Sequence, residues 1–474
     1  MRGDRYDVAI VGAGIAGTYI GDQLKGARPD WSVLITERTS RIGGRLRSIR
    51  IAGLDHPIEL GGMRFMTSHR RVASIVDGFA LRTHPFDRGS GQERAFLRGV
   101  LARGPGDPAS GNSYRLDANE RGRSAVDLWQ SGFERIVPDW ERLEHDDFVR
   151  LRATGRYLGR RVTDWSIGDA LRSSLSAEGW RYVRDAFGYD SGIRAFNATD
   201  FIEFLRSGGD PTAVARTPDG GMESIPRSLA ERFERAGGII WLDHEVTSIE
   251  MTDGGVALHF SNGRSIQAVR VVVTTPVPAV ELLARTSPAL RHPRFRQAFA
   301  AVEGFPAMKL YLWYDQPWWR PSVSGIRSVT DLPVRKVFYL DDGPHGPAPL
   351  LAMYTDAKDV EPWLDLADGT SGGAPAPPAM LGEVRRYLRE MHPESAVPEP
   401  IGSALMHWGA DPQEVGWHFW RSGVVSDEVL ELAPQPEPSL PIYLAGEAFS
   451  RQQSWVEGAL EAAEAALERL LSAA

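Results

Sequence analysis

The apolar pattern at the start of the chain predicts a buried strand that runs directly into a helix. Residues 6–11 are mostly apolar, as in a parallel strand covered on both faces, and a helical pattern follows through about Lys25. Three glycines separate the two patterns with the spacing Gly-x-Gly-x-x-Gly: Gly12, Gly14 and Gly17. We therefore expect Gly12 to make a tight turn, Gly14 to let a pyrophosphate approach the backbone, and Gly17 to let helix and strand pack closely.

A second apolar strand, residues 31–35, leads to Glu37. A carboxylate at this distance from the glycine turn can accept hydrogen bonds from both hydroxyls of a ribose, and it disfavours a 2′-phosphate. The alternative interpretation, a tight turn in front of an ordinary helix, requires neither the second strand nor the acid. The order of elements therefore favours a bound dinucleotide, FAD or NAD, over NADP.

Two glycine pairs follow within the first seventy residues. Residues 41–45 read Arg-Ile-Gly-Gly-Arg, and this pair with Arg45 can bring further amides and a cation onto a pyrophosphate, which a plain NAD domain does not need. Residues 58–65 read Ile-Glu-Leu-Gly-Gly-Met-Arg-Phe, which places Arg64 where a substrate would lie. The first glycine pair favours FAD over NAD, and the second indicates a flavin enzyme that binds a carboxylate of its substrate.

The pattern changes after the glycine-rich start. Residues 95–102 predict a short hairpin that turns at Gly99. The period is helical in residues 124–187, where Thr163 and Ser176 are expected to be N-caps. These segments indicate a second region with helices and antiparallel strands.

Later segments return to patterns typical of the nucleotide-binding region. Residues 220–226 open another helix, and alternating strands are expected at 255–260 and 266–274. A last strand ends near Gly446, and a long Ala/Glu/Leu helix runs from about Trp455 to the C-terminus. The nucleotide-binding region is therefore expected to be interrupted along the chain.

Composition limits the possible functions. With 474 residues, two domains sharing a cleft are expected. The net charge of -8 makes a nucleic-acid or anionic-membrane partner an unfavourable interpretation. The absence of cysteine excludes disulfides, thiolate catalysis and a flavin attached through a cysteine sulfur, so FAD is expected to be non-covalent.

Other chemistry and other locations find no support in the sequence. There is no Gly-x-Ser-x-Gly elbow, no Gly-Lys-Ser/Thr phosphate loop and no metal-ligand spacing among the histidines, so no metal site is predicted. The nucleotide strand begins within the first ten residues and leaves no room for a secretory signal, and no apolar run reaches membrane-spanning length. A cytoplasmic enzyme is expected, and a homodimer is an open alternative to a monomer.

The glycine motifs, Glu37 and Arg64 together resemble those of the flavin amine oxidase family, and within it the L-amino-acid oxidase branch. The resemblance implies an α/β fold: a discontinuous Rossmann-type FAD-binding domain joined to an α+β substrate-binding domain. The implied boundaries are 1–70, 218–280 and 434–474 for the FAD-binding domain, and 71–217 and 281–433, with a helical part at about 124–187, for the substrate-binding domain. In this branch the counterpart of Arg64 holds the substrate α-carboxylate, and simple amine oxidases lack it.

The resemblance also implies the remaining site residues. The chain is most similar to bacterial FAD-dependent L-tryptophan oxidases, which share the Pro317-Trp318-Trp319 and Tyr354-Thr355-Asp356 contexts. The expected FAD contacts are Gly12, Gly14, Ala16, Gly17, Glu37, Arg38, Gly44, Arg45, Gly61, Gly62, Met63, Arg64, Val246, Gly446, Glu447, Trp455 and Val456. The expected substrate contacts are Arg64, Tyr354, Trp408, Trp417 and Trp455, and the expected catalytic residues are Lys309, Arg64 and Tyr354.

Two of these assignments compete with plainer interpretations. Strand alternation alone would leave Lys309 on an exposed face, whereas its family counterpart holds a water against the flavin N5 edge. Which of Trp417, His418 and Trp420 closes the aromatic pocket stays open, because this segment does not align uniquely with the family. Trp455 could equally be a core tryptophan near a helix start.

The implied reaction follows from the substrate. Arg64 and Tyr354 would fix the carboxylate of an L-amino acid, with an aromatic side chain such as that of L-tryptophan, so that a hydride passes from Cα to flavin N5. The imino acid hydrolyses to a 2-oxo acid and ammonia, and O2 is reduced to H2O2. Three alternatives remain: a monooxygenase that forms an amide with loss of CO2, an amine oxidase acting on a specialised-metabolite substrate, and a non-catalytic FAD-binding scaffold.

Overall fold

The computed structural model describes residues 5–86, 93–208, 212–323, 325–340 and 347–472. Within them the strands are β1 Arg5–Val11, β2 Val33–Thr36, β3 Ser48–Ile49, β4 Ile58–Glu59, β5 Phe65–Met66, β6 Thr83–Pro85, β7 Arg94–Leu97, β8 Val100–Ala102, β9 Arg156–Tyr157, β10 Arg160–Arg161, β11 Ala215–Pro218, β12 Ile239–Trp241, β13 Val246–Thr252, β14 Gly255–Phe260, β15 Ser265–Val273, β16 Val302–Phe305, β17 Ala307–Tyr314, β18 Arg327–Thr330, β19 Lys336–Tyr339, β20 Ala348–Asp356, β21 Gly402–Trp408, β22 Trp417–Trp420 and β23 Ile442–Leu444. The α-helices are α1 Ile15–Ala27, α2 Arg70–Gly78, α3 Ala125–Ile136, α4 His145–Thr154, α5 Ile167–Ser174, α6 Ala177–Phe187, α7 Asp190–Ala195, α8 Ala198–Ser207, α9 Ser224–Arg235, α10 Val277–Thr286, α11 Pro293–Ala300, α12 Leu364–Ala367, α13 Pro378–Met391, α14 Ser426–Leu432 and α15 Val456–Ser472.

One sheet collects strands from the start, middle and end of the chain. Its order is β12-β2-β1-β15-β14-β13, and β23 pairs with β15. The strands β12, β2, β1, β15 and β23 run parallel, as apolar strands covered on both faces do, while β13 and β14 extend the sheet antiparallel. Helices α1, α9 and α15 bury their apolar sides in one cluster on this sheet. The α/β arrangement is as expected, and the exact domain boundaries stay a prediction.

A second sheet forms a wall opposite the nucleotide-binding turn. Its order is β21-β17-β20-β19-β18-β7-β8, and all its neighbours pair antiparallel except β18 and β7. Helix α13 lies against one face through Met380, Val384 and Leu388. Helices α3 to α8 pack on one another beside this sheet. The other face of its central strands is therefore left to line an internal space.

Local predictions are mostly confirmed. The strands β7 and β8 form the expected hairpin, where Arg98 and Gly99 have φ of +48° and +79°. Ser176 caps α6 by accepting the Gly179 N–H. The prediction for Thr163 is wrong, because Thr163 lies inside a short 3₁₀ turn and the next helix begins later, capped by Ser166. Both residues fit the local N-cap pattern, and only the packing of the turn distinguishes them.

Candidate active site

A cavity of about 640 Å³ connects the turn after β1 to the inner face of the second sheet. Every residue predicted for the site lines this cavity except Gly17. A Cβ at Gly17 would lie 2.0 Å from the carbonyl oxygen of Gly12, so Gly17 permits the contact between helix and turn, as its place in the motif predicts. The sequence motifs are thus brought together although they are spread over the whole chain.

The nucleotide end of the cavity is built from backbone and one acid. Gly12 has φ +108° and Gly44 has φ +56°, and a Cβ on Gly44 would lie only 3.2 Å from the Cα of Gly14. Gly14 is the N-cap of α1 and has no side chain to occupy the helix N-terminus. Backbone amides and a positive helix end without Cβ atoms fit the pyrophosphate of FAD.

Glu37 is fixed at the end of β2. Its Oε2 accepts the N–H of Ala13 at 3.0 Å, and its Oε1 accepts the N–H and the hydroxyl of Thr39 at 3.0 and 2.8 Å. Arg38 lines the cavity but is paired with Asp411 and Glu414 at 2.9 and 2.7 Å. The carboxylate of Glu37 is therefore oriented before a ribose arrives, whereas the predicted contact of Arg38 would be made by a guanidinium already shared with two acids.

Glu447 is a buried acid that also lines the cavity. Burial raises the pKa of Glu447, but Arg45, at 2.8 Å, and His418 outweigh this effect and hold the pKa well below its usual range. The Nε2 of His418 accepts the Val277 N–H at 3.3 Å, so its Nδ1, 3.1 Å from Glu447, carries the proton. The network holds Arg45 beside the glycine turns, where a cation fits a pyrophosphate.

Side chains along β22 alternate between its two faces, and this separates Trp417, His418 and Trp420, the three residues among which the sequence did not decide. Trp417 and Phe419 line the cavity, whereas His418 turns to Glu447 and Trp420 is buried in the core. The indole N–H of Trp417 donates to the hydroxyl of Ser191 at 3.0 Å. Of the three, Trp417 is therefore the one that faces the internal space, and its ring orientation is set by a hydrogen bond.

Asp356 fixes Ser191, the hydrogen-bond partner of Trp417. Its carboxylate accepts the N–H groups of Asp190 and Ser191, each at 2.9 Å, together with the Ser191 hydroxyl. Burial raises the pKa of Asp356 to about 6, and these hydrogen bonds oppose the rise. Sequence alone gave no role to Tyr189 or Ser191, because their place beside the cavity depends on α7 packing against β20.

Lys309 is buried and lines the cavity, so the plainer alternative to its predicted place in the site, an exposed lysine on an alternating strand, is wrong. Its strand β17 is central in the sheet, one face is covered by α13, and the other faces the cavity. The ammonium donates to the carbonyl oxygens of Glu59, at 3.2 Å, and Gly61. Burial lowers the pKa of Lys309 to about 7, with a further lowering by Arg64 and an opposing effect of Glu59.

Glu59 is a functional candidate without a predicted role. Its side chain accepts the Met222 N–H and the Ser48 hydroxyl, each at 2.8 Å, and burial raises its pKa to about 8. Only Leu60 separates this acid from the second glycine pair, and this proximity is the one sequence signal that could have marked it. Glu59 and Lys309 form a buried pair of titratable groups behind the segment that carries Arg64.

Arg64 lies among aromatic faces at the substrate end. Its Cζ is 4.8 Å from the centroid of the Phe86 ring, 5.7 Å from that of Trp455 and 6.0 Å from that of Phe338. A half-buried guanidinium beside apolar rings attracts a carboxylate more strongly than one fully exposed to water. The site can therefore hold one anionic group with a charge-assisted pair of hydrogen bonds.

Tyr354 lies beside Arg64 and packs against Tyr189 and Trp417 in the lining of the cavity, the group of rings called here the aromatic wall. Its ring meets those of Tyr189 at 5.3 Å and Trp417 at 6.2 Å, both edge to face, and the Lys309 ammonium is 4.7 Å from its centroid. Burial raises the pKa of Tyr354 well above its usual range, so the phenol keeps its proton and can donate a hydrogen bond. Trp408 is fixed by donating its indole N–H to the Leu60 carbonyl at 2.8 Å.

Two histidines outside the cavity approach an acid although they are distant in sequence. His56 and His84 stack with ring centroids 3.8 Å apart, and His84 Nδ1 lies 3.1 Å from Asp219. One ligand atom from each of His56, His84 and Asp219 lies within 4.8 Å of the others, a spacing at which the three side chains could hold a metal ion.

No helix in the described part of the chain is long and apolar enough to cross a membrane.

The chain is similar to known proteins along nearly its whole length. The sequence model described as "Flavin containing amine oxidoreductase" matches residues 15–471. Aplysianin-A from Aplysia kurodai is 26% identical and covers 98% of this chain and 89% of its own. The flavin-dependent L-tryptophan oxidase RebO from Lentzea aerocolonigenes is also 26% identical and covers 98% and 97%.

A further relative and a solved structure agree with the fold. The L-amino-acid oxidase of Mus musculus is 25% identical over 98% of this chain and 70% of its own length. A structure of wild-type putrescine oxidase bound to putrescine has a TM-score of 0.72 at 17% identity and covers 99% of both chains. The expected α/β architecture is thereby confirmed.

Proposed function

Because the chain belongs to the flavin-containing amine oxidoreductases, we propose that it is an FAD-dependent oxidase of L-amino acids. The observation that carries the proposal is Arg64, which lies at the substrate end of the cavity beside a protonated phenol and a buried lysine. A substrate carboxylate can form two parallel charge-assisted hydrogen bonds with this guanidinium, which an amine without a carboxylate cannot. The relatives named L-amino-acid oxidases support the same interpretation.

The glycine turns and Glu37 would hold FAD non-covalently, and the bound cofactor would supply two-electron redox chemistry between the substrate Cα–H bond and O2. The chain itself positions the reactant. Arg64 donates two parallel hydrogen bonds to the α-carboxylate and Tyr354 donates a third, which fixes the direction of the Cα–H bond. The carboxylate is thereby immobilised at two points, and the amine is left free to lose its proton.

Lys309 has a role separate from the binding of the carboxylate by Arg64 and Tyr354. Its ammonium is held by the carbonyls of Glu59 and Gly61, so it is fixed within the segment that also carries Arg64. With a pKa of about 7 it exists in both protonation states near neutral pH. We assign it the binding of a water molecule at the reacting edge of the cofactor and the donation or acceptance of a proton there.

The side chain of the substrate is proposed to be aromatic. Trp417, Tyr189 and Phe187 line the part of the cavity next to Arg64, and Trp417 is held in one orientation by Ser191. Rings in edge-to-face contact offer an apolar slot for another ring. The L-tryptophan oxidase among the relatives supports this choice.

The test is a product analysis of the purified holoprotein under air. L-tryptophan and L-phenylalanine should each give one 2-oxo acid, one ammonia and one H2O2 per substrate consumed. Amide and CO2 in place of the 2-oxo acid would make the enzyme a monooxygenase. If a panel of L-amino acids gives no product, while arylalkylamines give aldehydes, the amino-acid oxidase proposal fails and an amine oxidase replaces it.

A further inference from the structure

Lys336 contributes an amino group to the cavity that the proposed chemistry does not use. It is the first residue of β19, it lines the cavity, and its ammonium is 3.6 Å from the ring centroid of Tyr189 and 5.9 Å from that of Phe187. Across the described ranges, no carboxylate forms an ion pair with it. A buried ammonium over ring faces alone is costly unless an anion joins it.

The neighbouring charges do not supply that anion. Arg327 and Glu93 also line the cavity, but they form an ion pair with each other. Burial, together with Arg327 and Arg64, lowers the pKa of Lys336 well below the usual value, which Glu93 and Asp356 only partly offset. These effects favour the neutral amine while no anion is bound, and an anionic group placed against Lys336 would favour the charged ammonium.

The position of Lys336 relates it to the proposed α-carboxylate anchor. Lys336 pairs with Tyr354 in the β19–β20 ladder. Phe338, two residues further along β19, lies on the same face as Lys336, and its ring is 6.0 Å from the Cζ of Arg64. Two residues of a strand span about 7 Å. A substrate whose α-carboxylate is on Arg64 can therefore extend its side chain past Tyr354 to Lys336.

We propose that Lys336 is a specificity-determining residue that binds an anionic group at the end of the substrate side chain, so that the enzyme favours L-amino acids ending in a carboxylate. The proposal rests on the proposed amino-acid oxidation and deepens it by naming the substrate class. An aromatic ring carrying a carboxylate satisfies both Lys336 and the aromatic wall, and L-glutamate is the aliphatic member of the class.

The experiment compares substrates that share one ring and differ at its far end. The kcat/KM of the wild-type holoenzyme is measured with L-phenylalanine, 4-carboxy-L-phenylalanine and 4-aminomethyl-L-phenylalanine, and with L-glutamate against L-glutamine. We expect the carboxylate members to be favoured at least about 10-fold and the aminomethyl member to be the poorest substrate. Lys336→Met should remove most of this preference while changing L-phenylalanine little, and Lys336→Gln provides a second neutral variant.

A binding measurement separates this proposal from catalysis. The Kd of 3-phenylpropanoate and of 3-(4-carboxyphenyl)propanoate is obtained from the change in flavin absorbance, and Lys336→Met should weaken only the second by about 10-fold. Lys358→Met, on an exposed residue outside the cavity, is the matched control. Oxidation of all members with equal efficiency, unaltered in the Lys336 variants, would overturn the inference and leave the proposed function intact. Failure of every L-amino acid to reduce the flavin would overturn both.

Discussion

Replacing Arg64 with alanine tests the anchor on which the proposed function depends. The guanidinium is half-buried and lies 4.8 to 6.0 Å from the centroids of the Phe86, Trp455 and Phe338 rings, so water replaces only part of what is lost. Truncating one partner of a buried, hydrogen-bonded charge pair costs about 2–4 kcal/mol, which corresponds to a fall in kcat/KM of about 30- to 1,000-fold.

Arg64→Lys refines the expectation. A lysine keeps the positive charge but loses the planar fork that binds a carboxylate through two parallel hydrogen bonds. We expect a loss of about 1–2 kcal/mol, roughly 5- to 30-fold in kcat/KM, as for the loss of one charge-assisted hydrogen bond. The alanine variant should therefore be clearly worse than the lysine variant.

The assay compares an amino acid with the amine of the same side chain. The kcat/KM for L-tryptophan and for tryptamine is measured in wild type, Arg64→Ala and Arg64→Lys, together with the Kd of indole-3-propionate from the flavin spectrum. Only ligands with a carboxylate should lose affinity or rate, and Arg296→Ala, on an exposed residue outside the cavity, should behave as wild type. Equal losses for amine and amino acid, or no loss with full flavin content, would refute the role of Arg64.

The remaining predictions concern the cofactor, the aromatic wall and the buried titratable pair. Gly17→Ala should be purified with little flavin, because its Cβ would lie 2.0 Å from a backbone carbonyl, whereas Gly26→Ala on the same helix has free space and should retain full flavin content. Trp417→Phe removes one hydrogen bond, worth about 1 kcal/mol, and should raise the KM for L-tryptophan about 5-fold; an unchanged KM would exclude it from the substrate site. Lys309→Met should slow reoxidation of the reduced flavin by O2 at least about 10-fold and remove a step near pH 7 from its pH profile, and a profile identical to wild type would contradict the assignment. Folding raises the pKa of Glu59 from 4.5 to about 8, so between these pH values the folded protein binds more protons than the unfolded chain, and the contribution of Glu59 to stability falls as pH rises. Glu59→Gln should therefore reduce the drop in Tm between pH 5 and pH 8. An equal drop in the variant and in wild type would show that Glu59 ionises normally.

The nucleotide-binding half of the site could be predicted because its constraints are local. Gly12, Gly14 and Gly17 are required by the backbone path of one turn, and Glu37 follows at a distance that a strand and helix determine. The N-cap prediction is confirmed at Ser176 and wrong at Thr163. Both residues match the same short sequence pattern, and the pattern alone does not show which of them begins a helix. Local rules therefore place the turn reliably and helix starts less reliably.

The substrate half depends on contacts between distant segments. The burial of Lys309 requires a sheet with both faces covered, and a single strand pattern cannot reveal this. Tyr189 and Lys336 meet only because α6 and α7 pack against the second sheet. Resemblance to the family supplied Lys309 and Tyr354, but it gave no signal for Lys336 or Glu59, whose roles are defined by neighbours more than a hundred residues away.

The most direct test of the central claim is anaerobic stopped-flow absorbance of the purified flavoprotein. The protein is mixed separately with L-amino acids and with amines that have the same side chains. We expect rapid bleaching of the flavin by carboxylate-bearing substrates and little or none by the amines. Bleaching by the amines alone would contradict the role of Arg64, because Arg64 would then bind no substrate carboxylate and the enzyme would be an amine oxidase.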